Sequence, residues 1–299
     1  MSAAATDVPG AEHRVVDVGE VRLHAVHMGQ GPLVLCLHGF PEFWWSWRHQ
    51  LPALAAAGFH AVAPDLRGFN LSDRPRGVAA YRLARLVGDV AGLVRAFGAE
   101  RATLVGHDWG GVVAWAAAAR HPDVVERLAV LNAPHREAMR RGLARPAQAL
   151  RSSYMALFQL PMLPERLLAA GDYALLRRVL RALRARPVPD DELEAYVEAA
   201  RRAGGLHEAL HYYRAMGRAL VRRGRPAPGG GPRRVEAPAL VVWGDRDRVL
   251  LPHLALPPEG VARDVRVLHL PEAGHCVQLD APAEVNRALL AFLSPRVTS

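Results

Sequence analysis

The 299-residue chain has no lysine, so all 38 of its basic side chains are arginine. Set against 29 acidic residues, they give a formal charge of +9, which alone would suit an anionic partner. Arginine standing for every lysine, in a chain rich in alanine, glycine and proline, reads instead as coding bias. Aromatic residues are 6% of the chain and do not interleave with the arginine runs. With no nucleic-acid motif present either, nucleic-acid binding is not expected. Cysteine is nearly absent, with Cys36 and Cys276 the two copies. That excludes a disulfide framework and a cysteine metal cluster, and free thiols fit a reducing compartment. No apolar run is long enough to span a bilayer, and the first ten residues show no basic region followed by an apolar stretch. Neither a membrane partner nor a signal peptide is expected, which leaves the cytoplasm as the default.

What is present is a large apolar fraction, 51% of residues, in a chain long enough for one α/β domain or a core with an insert. Val15–Val18 and Val21–Val26 read as a hairpin about Gly19-Glu20. Leu33–Leu37 is a continuous apolar run, the pattern of a strand buried on both faces. A helix is expected from Trp44 to Ala57, a strand at Ala61–Ala63, a turn-rich loop from Pro64 to Pro75, and a helix from Tyr81 to Phe97. Strands follow at Ala102–Val105 and Arg127–Leu131. Such alternation points to a mostly parallel sheet covered by helices on both faces. From His135 to Gly224 the strand pattern stops and helical periodicity takes over, with arginines, as in Arg177–Arg184, read as a solvated face. A Pro/Gly linker over Arg225–Pro232 precedes strands at Ala239–Trp243 and Val265–Leu270 and a helix from Ala283 to Phe292. The expected organisation is a core of residues 1–135 and 229–299 with a helical cap, 136–228, inserted in it.

The stretch that organises the chain is Thr103–Trp115. A β-branched apolar run leads into Gly106-His107-Asp108-Trp109-Gly110, and an alanine-rich helix-forming segment follows. Small residues at Gly106 and Gly110 let strand and helix approach, with Asp108 held up at a sharp bend. This is the pattern of a nucleophile elbow with aspartate in place of serine. A carboxylate at a helix N-terminus is favoured in its ionised form and attacks without a base to deprotonate it. The plain alternative is an aspartate that caps a helix.

Two further strand ends carry chemistry. Trp243-Gly244-Asp245-Arg246-Asp247 runs a strand into an acidic turn, and Pro271–His275 delivers a histidine on a glycine-containing loop. Ligands of parallel α/β sheets bind beyond the carboxyl ends of the strands, so Asp108, the acidic turn and His275 should share one rim. The order nucleophile, acid, histidine is the one expected for this arrangement.

With these motifs the chain resembles the α/β-hydrolase superfamily, and within it the epoxide hydrolases of the aspartate-nucleophile branch. His38-Gly-Phe-Pro41, Asp65–Ser72, Gly106-His-Asp-Trp-Gly-Gly111 and Gly274-His275 all match. The resemblance implies an α/β-hydrolase fold with an inserted helical lid, and conversion of an epoxide and water to a vicinal diol. It implies Asp108 as nucleophile, His275 as general base and Asp247 as the acid that orients it. Asp245 is then left to bind the turn backbone. Some relatives place the acid after the preceding strand, but Asn132 holds that position and cannot be anionic. Backbone N–H groups of Phe40 and Trp109 would form the oxyanion hole. Two lid tyrosines of that family correspond to Tyr154 and Tyr213; Tyr212, beside the latter, keeps the choice between the adjacent pair open. Phe40, Trp109, Leu157 and Phe158 would form a hydrophobic wall for a small apolar epoxide. His38 and His107 are read as structural hydrogen-bonding residues. No cofactor or metal is implied, and a homodimer stays open.

Other members of the branch fit less well. Haloalkane dehalogenases tend to carry asparagine where Phe40 stands, and haloacetate dehalogenases carry arginines after the nucleophile, where this chain has Gly110, Gly111 and Val112. A small-molecule receptor of the same fold is a further alternative, although a receptor has no need of a water-activating pair.

Overall fold

The structure, a computed structural model, describes residues 6–221 and 234–294. The expected linker over 225–232 and the end of the expected cap boundary lie outside the described residues. Eight strands form a single sheet in the order β1-β2-β4-β3-β5-β6-β7-β8. They are β1 (Glu12–Asp17), β2 (Arg22–Met28), β3 (Leu33–Leu37), β4 (His60–Pro64), β5 (Ala102–His107), β6 (Val125–Leu131), β7 (Ala239–Gly244) and β8 (Val265–Leu270). β1 and β2 pair antiparallel, as does β2 with β4, and every later pairing is parallel. The continuous apolar runs have become the central strands: every residue of β3, β5 and β7 is buried. Such strands need cover on both faces, and helices supply it.

Helices α1 (Gln50–Ala56), α2 (Leu83–Ala96) and α3 (Trp109–Arg120) follow β3, β4 and β5, and α10 (Val277–Asp280) and α11 (Pro282–Leu293) follow β8. Two helix starts differ from the sequence reading. Trp44–Trp47 forms a separate 3₁₀ turn and α1 begins at Gln50. Pro52 accounts for the break, since a residue without an N–H is tolerated in the first turn of a helix and not in its interior. Likewise Val78–Tyr81 is a 3₁₀ turn ahead of α2.

Between β6 and β7 the described chain is helical: α4 (Arg136–Leu143), α5 (Pro146–Arg151), α6 (Tyr154–Leu157), α7 (Leu163–Leu183), α8 (Asp190–Arg202) and α9 (His207–Val221). α7 is kinked, with non-helical backbone angles from Ala170 to Tyr173. Its arginines do not all form a solvated face. Arg178 and Arg181 are exposed, but the Arg184 side chain is 8% exposed and paired to Asp280 and Glu192. A buried guanidinium requires such partners, and sequence periodicity does not reveal them. No helix of the described residues is long and apolar enough to cross a membrane.

The bend between β5 and α3 depends on close backbone approach. A Cβ at Gly106 would lie 2.5 Å from the carbonyl oxygen of Gly110, and one at Gly110 would overlap the carbonyls of Leu37 and His38. Gly110→Ala therefore forces β3 and α3 apart, and overpacking of this kind costs about 1–3 kcal/mol. Gly88, in α2, has open space where a Cβ would stand, so Gly88→Ala should stabilise by about 0.4–1 kcal/mol. Urea unfolding of the two variants should therefore move in opposite directions. A Gly110→Ala midpoint equal to that of the parent would show that the elbow does not need this contact.

Candidate active site

Asp108 occupies the residue before α3 with φ 47° and ψ −118°. A non-glycine residue held there costs about 1–3 kcal/mol, which the surrounding structure must absorb. Its side chain makes no capping hydrogen bond to the helix. Instead Oδ1 accepts from the backbone N–H of Phe40 at 2.9 Å, across the gap between the ends of β5 and β3. The capping alternative therefore fails on geometry. Trp109 begins α3, so its N–H is one of the helix's first, unpaired donors.

His275 stands on the loop after β8 and is buried. Its Nδ1 is 2.7 Å from Asp247 Oδ2, and its Nε2 is 3.6 Å from Asp108 Oδ2. Burial works to lower the pKa of this imidazole. The carboxylates of Asp247 and Asp108 outweigh it and hold the ring well above the ordinary histidine value. Asp247 shows the complementary pattern. Burial would raise it, but His275, the Leu250 N–H and Asn132 keep its pKa below the usual carboxylate range. Asp247 Oδ1 also accepts from the N–H groups of Val249 and Leu250 at 2.7 and 3.0 Å.

The backbone-binding role expected of Asp245 thus belongs to Asp247, and Asp245 needs correcting. Its Oδ1 lies 2.6 Å from Nδ1 of His269. The β7–β8 register explains this, because His269 is the partner of Trp243 and the next residues of the two strands follow in step. Asn132, at the end of β6 with φ 40°, is no acid but serves one. Its amide donates to Asp247 Oδ2 at 2.8 Å, and its oxygen accepts from the Gly244 N–H at 2.8 Å.

The two expected tyrosines pack against each other near Asp108. Tyr213, buried on α9, packs edge-on against Phe40, Trp109, Phe158 and Tyr154, with ring centroids 5.0–6.0 Å away. Tyr154 opens α6 and contacts Phe158 at 5.3 Å. Both phenols have raised pKa values, from burial first; the charge of Asp108 comes next for Tyr154, whereas for Tyr213 it follows the neighbouring Tyr154. They are protonated and able to donate. Tyr212 turns elsewhere, its hydroxyl donating to the carbonyl of Arg67 at 3.0 Å. Leu157, partly buried at the end of α6, stands outside this ring cluster.

Behind the site lies a buried carboxylate that sequence reading passed over. Glu42 accepts from Gly39 N–H at 2.9 Å, sits 2.6 Å from His107 Nδ1, and accepts from Gln278 at 3.1 Å. Burial opposes its ionisation, but His107 and the Gly39 N–H hold its pKa down, to about 2. His107 in turn reaches the carbonyl of His275 with Nε2 at 3.0 Å. His38 bridges Gly39 O and Leu66 N. The ring nitrogens of both histidines are taken up by these partners and not by Asp108. A lone acidic residue inside the apolar run Phe40–Trp47 was the one available signal for Glu42, since such a charge requires buried partners.

Residues 32–282 match the family model for the alpha/beta hydrolase fold. The chain is 38% identical over 289 residues to the AB hydrolase superfamily protein YfhM of Bacillus subtilis, covering 95% of this chain and 98% of that one. It is 38% identical over 292 residues to epoxide hydrolase 3 of Xenopus tropicalis, covering 94% and 76%. Among solved structures, the epoxide hydrolase of Bacillus megaterium in complex with an inhibitor superposes with a TM-score of 0.84 at 32% identity, over 94% of this chain and 99% of that one. On this fold and these matches, the chain belongs to the α/β-hydrolase fold family and, within it, to the epoxide hydrolases.

Proposed function

We propose that this protein hydrolyses a small hydrophobic epoxide to a vicinal diol through an ester on Asp108, beneath a cap formed by the helices after β6. The observation that carries the reading is the convergence on one carboxylate. A backbone N–H and an imidazole face Asp108 within 2.9 and 3.6 Å, and two protonated phenols feel its charge. Asp108 attacks an epoxide carbon, and the C–O electron pair moves to the ring oxygen. That alkoxide is a poor leaving group unless donors receive it, which is the work assigned to Tyr154 and Tyr213. His275 then takes a proton from water, and the resulting hydroxide adds to the ester carbonyl. The Phe40 and Trp109 N–H groups hold the oxyanion until it collapses, the departing diol oxygen taking the proton from His275 and the new Asp108 carboxyl then returning its own proton to the imidazole. Buried free thiols at Cys36 and Cys276 suit the reducing cytoplasm.

One difficulty resolves itself in this scheme. With both carboxylates ionised, Asp247 and Asp108 outweigh burial and push the His275 pKa well above its ordinary value, which favours the imidazolium over the base. Ester formation neutralises Asp108 and removes its share of the upward shift. The base is therefore released when the intermediate forms, the imidazolium proton passing by way of a phenol to the new alkoxide, which becomes the hydroxyl of the ester. His275 should titrate at lower pH in Asp108→Asn, where a neutral amide mimics the ester, than in the parent protein. Ester hydrolysis should rise with pH through that lower value. Equal imidazole titrations by NMR would remove the argument.

Asp108→Ala should abolish turnover without unfolding the protein. His275→Gln should form the ester and stall, and intact-protein mass spectrometry should then show one added substrate mass. A folded Asp108→Ala enzyme that still turns over would end the covalent reading.

Tyr154→Phe and Tyr213→Phe should each slow ring opening by about 10²–10³, the usual loss for one donor to a developing oxyanion. A tyrosine that only packs would lose far less, because phenylalanine keeps the ring. Halide leaves without needing these donors, so any haloalkane turnover should be little changed. Pre-steady-state alkylation is the measurement, and unchanged alkylation in both variants would favour a dehalogenase.

A further inference from the structure

We propose that the cap also aligns the hydrolytic pair, through Gln148, Arg151 and residues 183–185, which hold the two core loops bearing Asp247 and His275. This rests on the ester reading above and assigns the cap a part in the second half-reaction.

The base loop is tied to the end of α7. The N–H groups of His275 and Cys276 both donate to the carbonyl of Leu183, at 3.0 and 3.3 Å. Asp280, fully buried, accepts with one oxygen, Oδ2, from Gly274 N–H and from Ala185 N–H, each at 2.8 Å. Its Oδ1 takes Arg184 Nε at 2.6 Å. Arg184 also donates to Leu279 O and to Glu192 of α8, and Glu192 returns to the core by pairing with Arg48 at 2.9 Å. A Cβ at Gly274 would meet Ala185 N at 2.8 Å, so the two segments are in direct backbone contact.

The acid loop is tied to α5. Arg151 donates to the carbonyl of Asp247 itself at 2.8 Å. Gln148, fully buried, donates to Val249 O and accepts from Leu251 N, each at 3.0 Å. It thereby fixes the turn whose N–H groups hold Asp247 Oδ1. Asp108, by contrast, is anchored by the core, with its N–H on Leu131 O and its Oδ1 on Phe40 N. The Asp108 and His275 loops share a core contact, His107 on the carbonyl of His275, but the helices after β6 hold only the loops of Asp247 and His275 through the contacts described here. The proton transfer from water depends on the Asp247–His275 alignment, whereas attack by Asp108 does not. Misplacement by about 1 Å costs a reacting pair on the order of 10²-fold.

The test is Arg184→Gln and Gln148→Ala in the full-length protein, with His275→Gln as control and styrene oxide as substrate. Single-turnover mixing would follow formation and decay of the adduct by mass spectrometry. Both variants should alkylate at close to the parent rate and hydrolyse the ester on the order of 10- to 100-fold more slowly. In steady state, kcat and KM should fall together and leave kcat/KM unchanged, a pattern that loss of stability alone does not produce. If Arg184→Gln does not fold, Gln148→Ala, which breaks no ion pair, carries the test. Parent-like ester decay in the folded variants overturns the proposal, as does equal slowing of both half-reactions. Failure of the ester reading is distinguishable, because then the His275→Gln control accumulates no adduct either.

Discussion

The imidazole of His275 lies between two carboxylates, hydrogen-bonded to Asp247 and within 3.6 Å of Asp108, and the rest of the site is arranged around the conflict this creates. A buried ring between two anions is driven to carry a proton, while a general base has to be without one. In the proposed ester route both demands are met in sequence, because the anion that faces the imidazole at Nε2 is also the group that ester formation would neutralise. Asp247 cannot relieve the conflict in the same way. Two backbone N–H groups and the Asn132 amide fix it as a permanent carboxylate. Asparagine at position 132 is suited to this role, since an acid there would put a further negative charge beside Asp247.

The strained bend at Asp108 is the second constraint. Its backbone angles are held by β3, which lies so near α3 that Gly110 cannot carry a side chain. The same closeness brings Phe40 N–H to the carboxylate. Glu42 then stiffens this loop from behind, gripping Gly39 N–H and, through His107, the carbonyl of His275. The loops that carry Phe40, Asp108 and His275 are therefore coupled by buried polar contacts. Such a network is costly if incomplete and rigid when satisfied.

The convergence of Asp108, Asp247 and His275 was legible in the sequence because each follows an apolar strand and sits in a short turn, so chain order and strand ends fix its place. Tyr213 could be matched in sequence, but not separated from Tyr212. The separation depends on which side of α9 faces Phe40 and which faces the carbonyl of Arg67. Asp245 was misread because the β7–β8 register, which sets His269 beside it, leaves no trace in local pattern. Glu42, Gln148 and Arg184 were missed for one shared reason. Each is an ordinary polar residue of loop or helix until the tertiary fold buries it. Burial of a polar group is a property of two segments, and periodicity describes one.

The absence of lysine takes on a different meaning at three positions. Arg67 forks onto Asp89 and donates to the carbonyl of Ala80. Arg214 reaches the carbonyls of Phe158 and Leu160 while pairing with Glu165. Arg184 joins Asp280, Glu192 and Leu279 O. Every one of these is buried or nearly so, and every one serves several acceptors at once. A lysine ammonium is a single, strongly hydrated point of charge and cannot span such a set. Coding bias accounts for arginine on the exposed faces of α7, where either residue would serve. It does not account for these three, which lie where the turn after Tyr154, the end of α7 and the loop beneath Tyr212 are locked in place. At those joints the guanidinium suits the geometry, and it holds the segments that carry Tyr154, Tyr212 and the loop of His275.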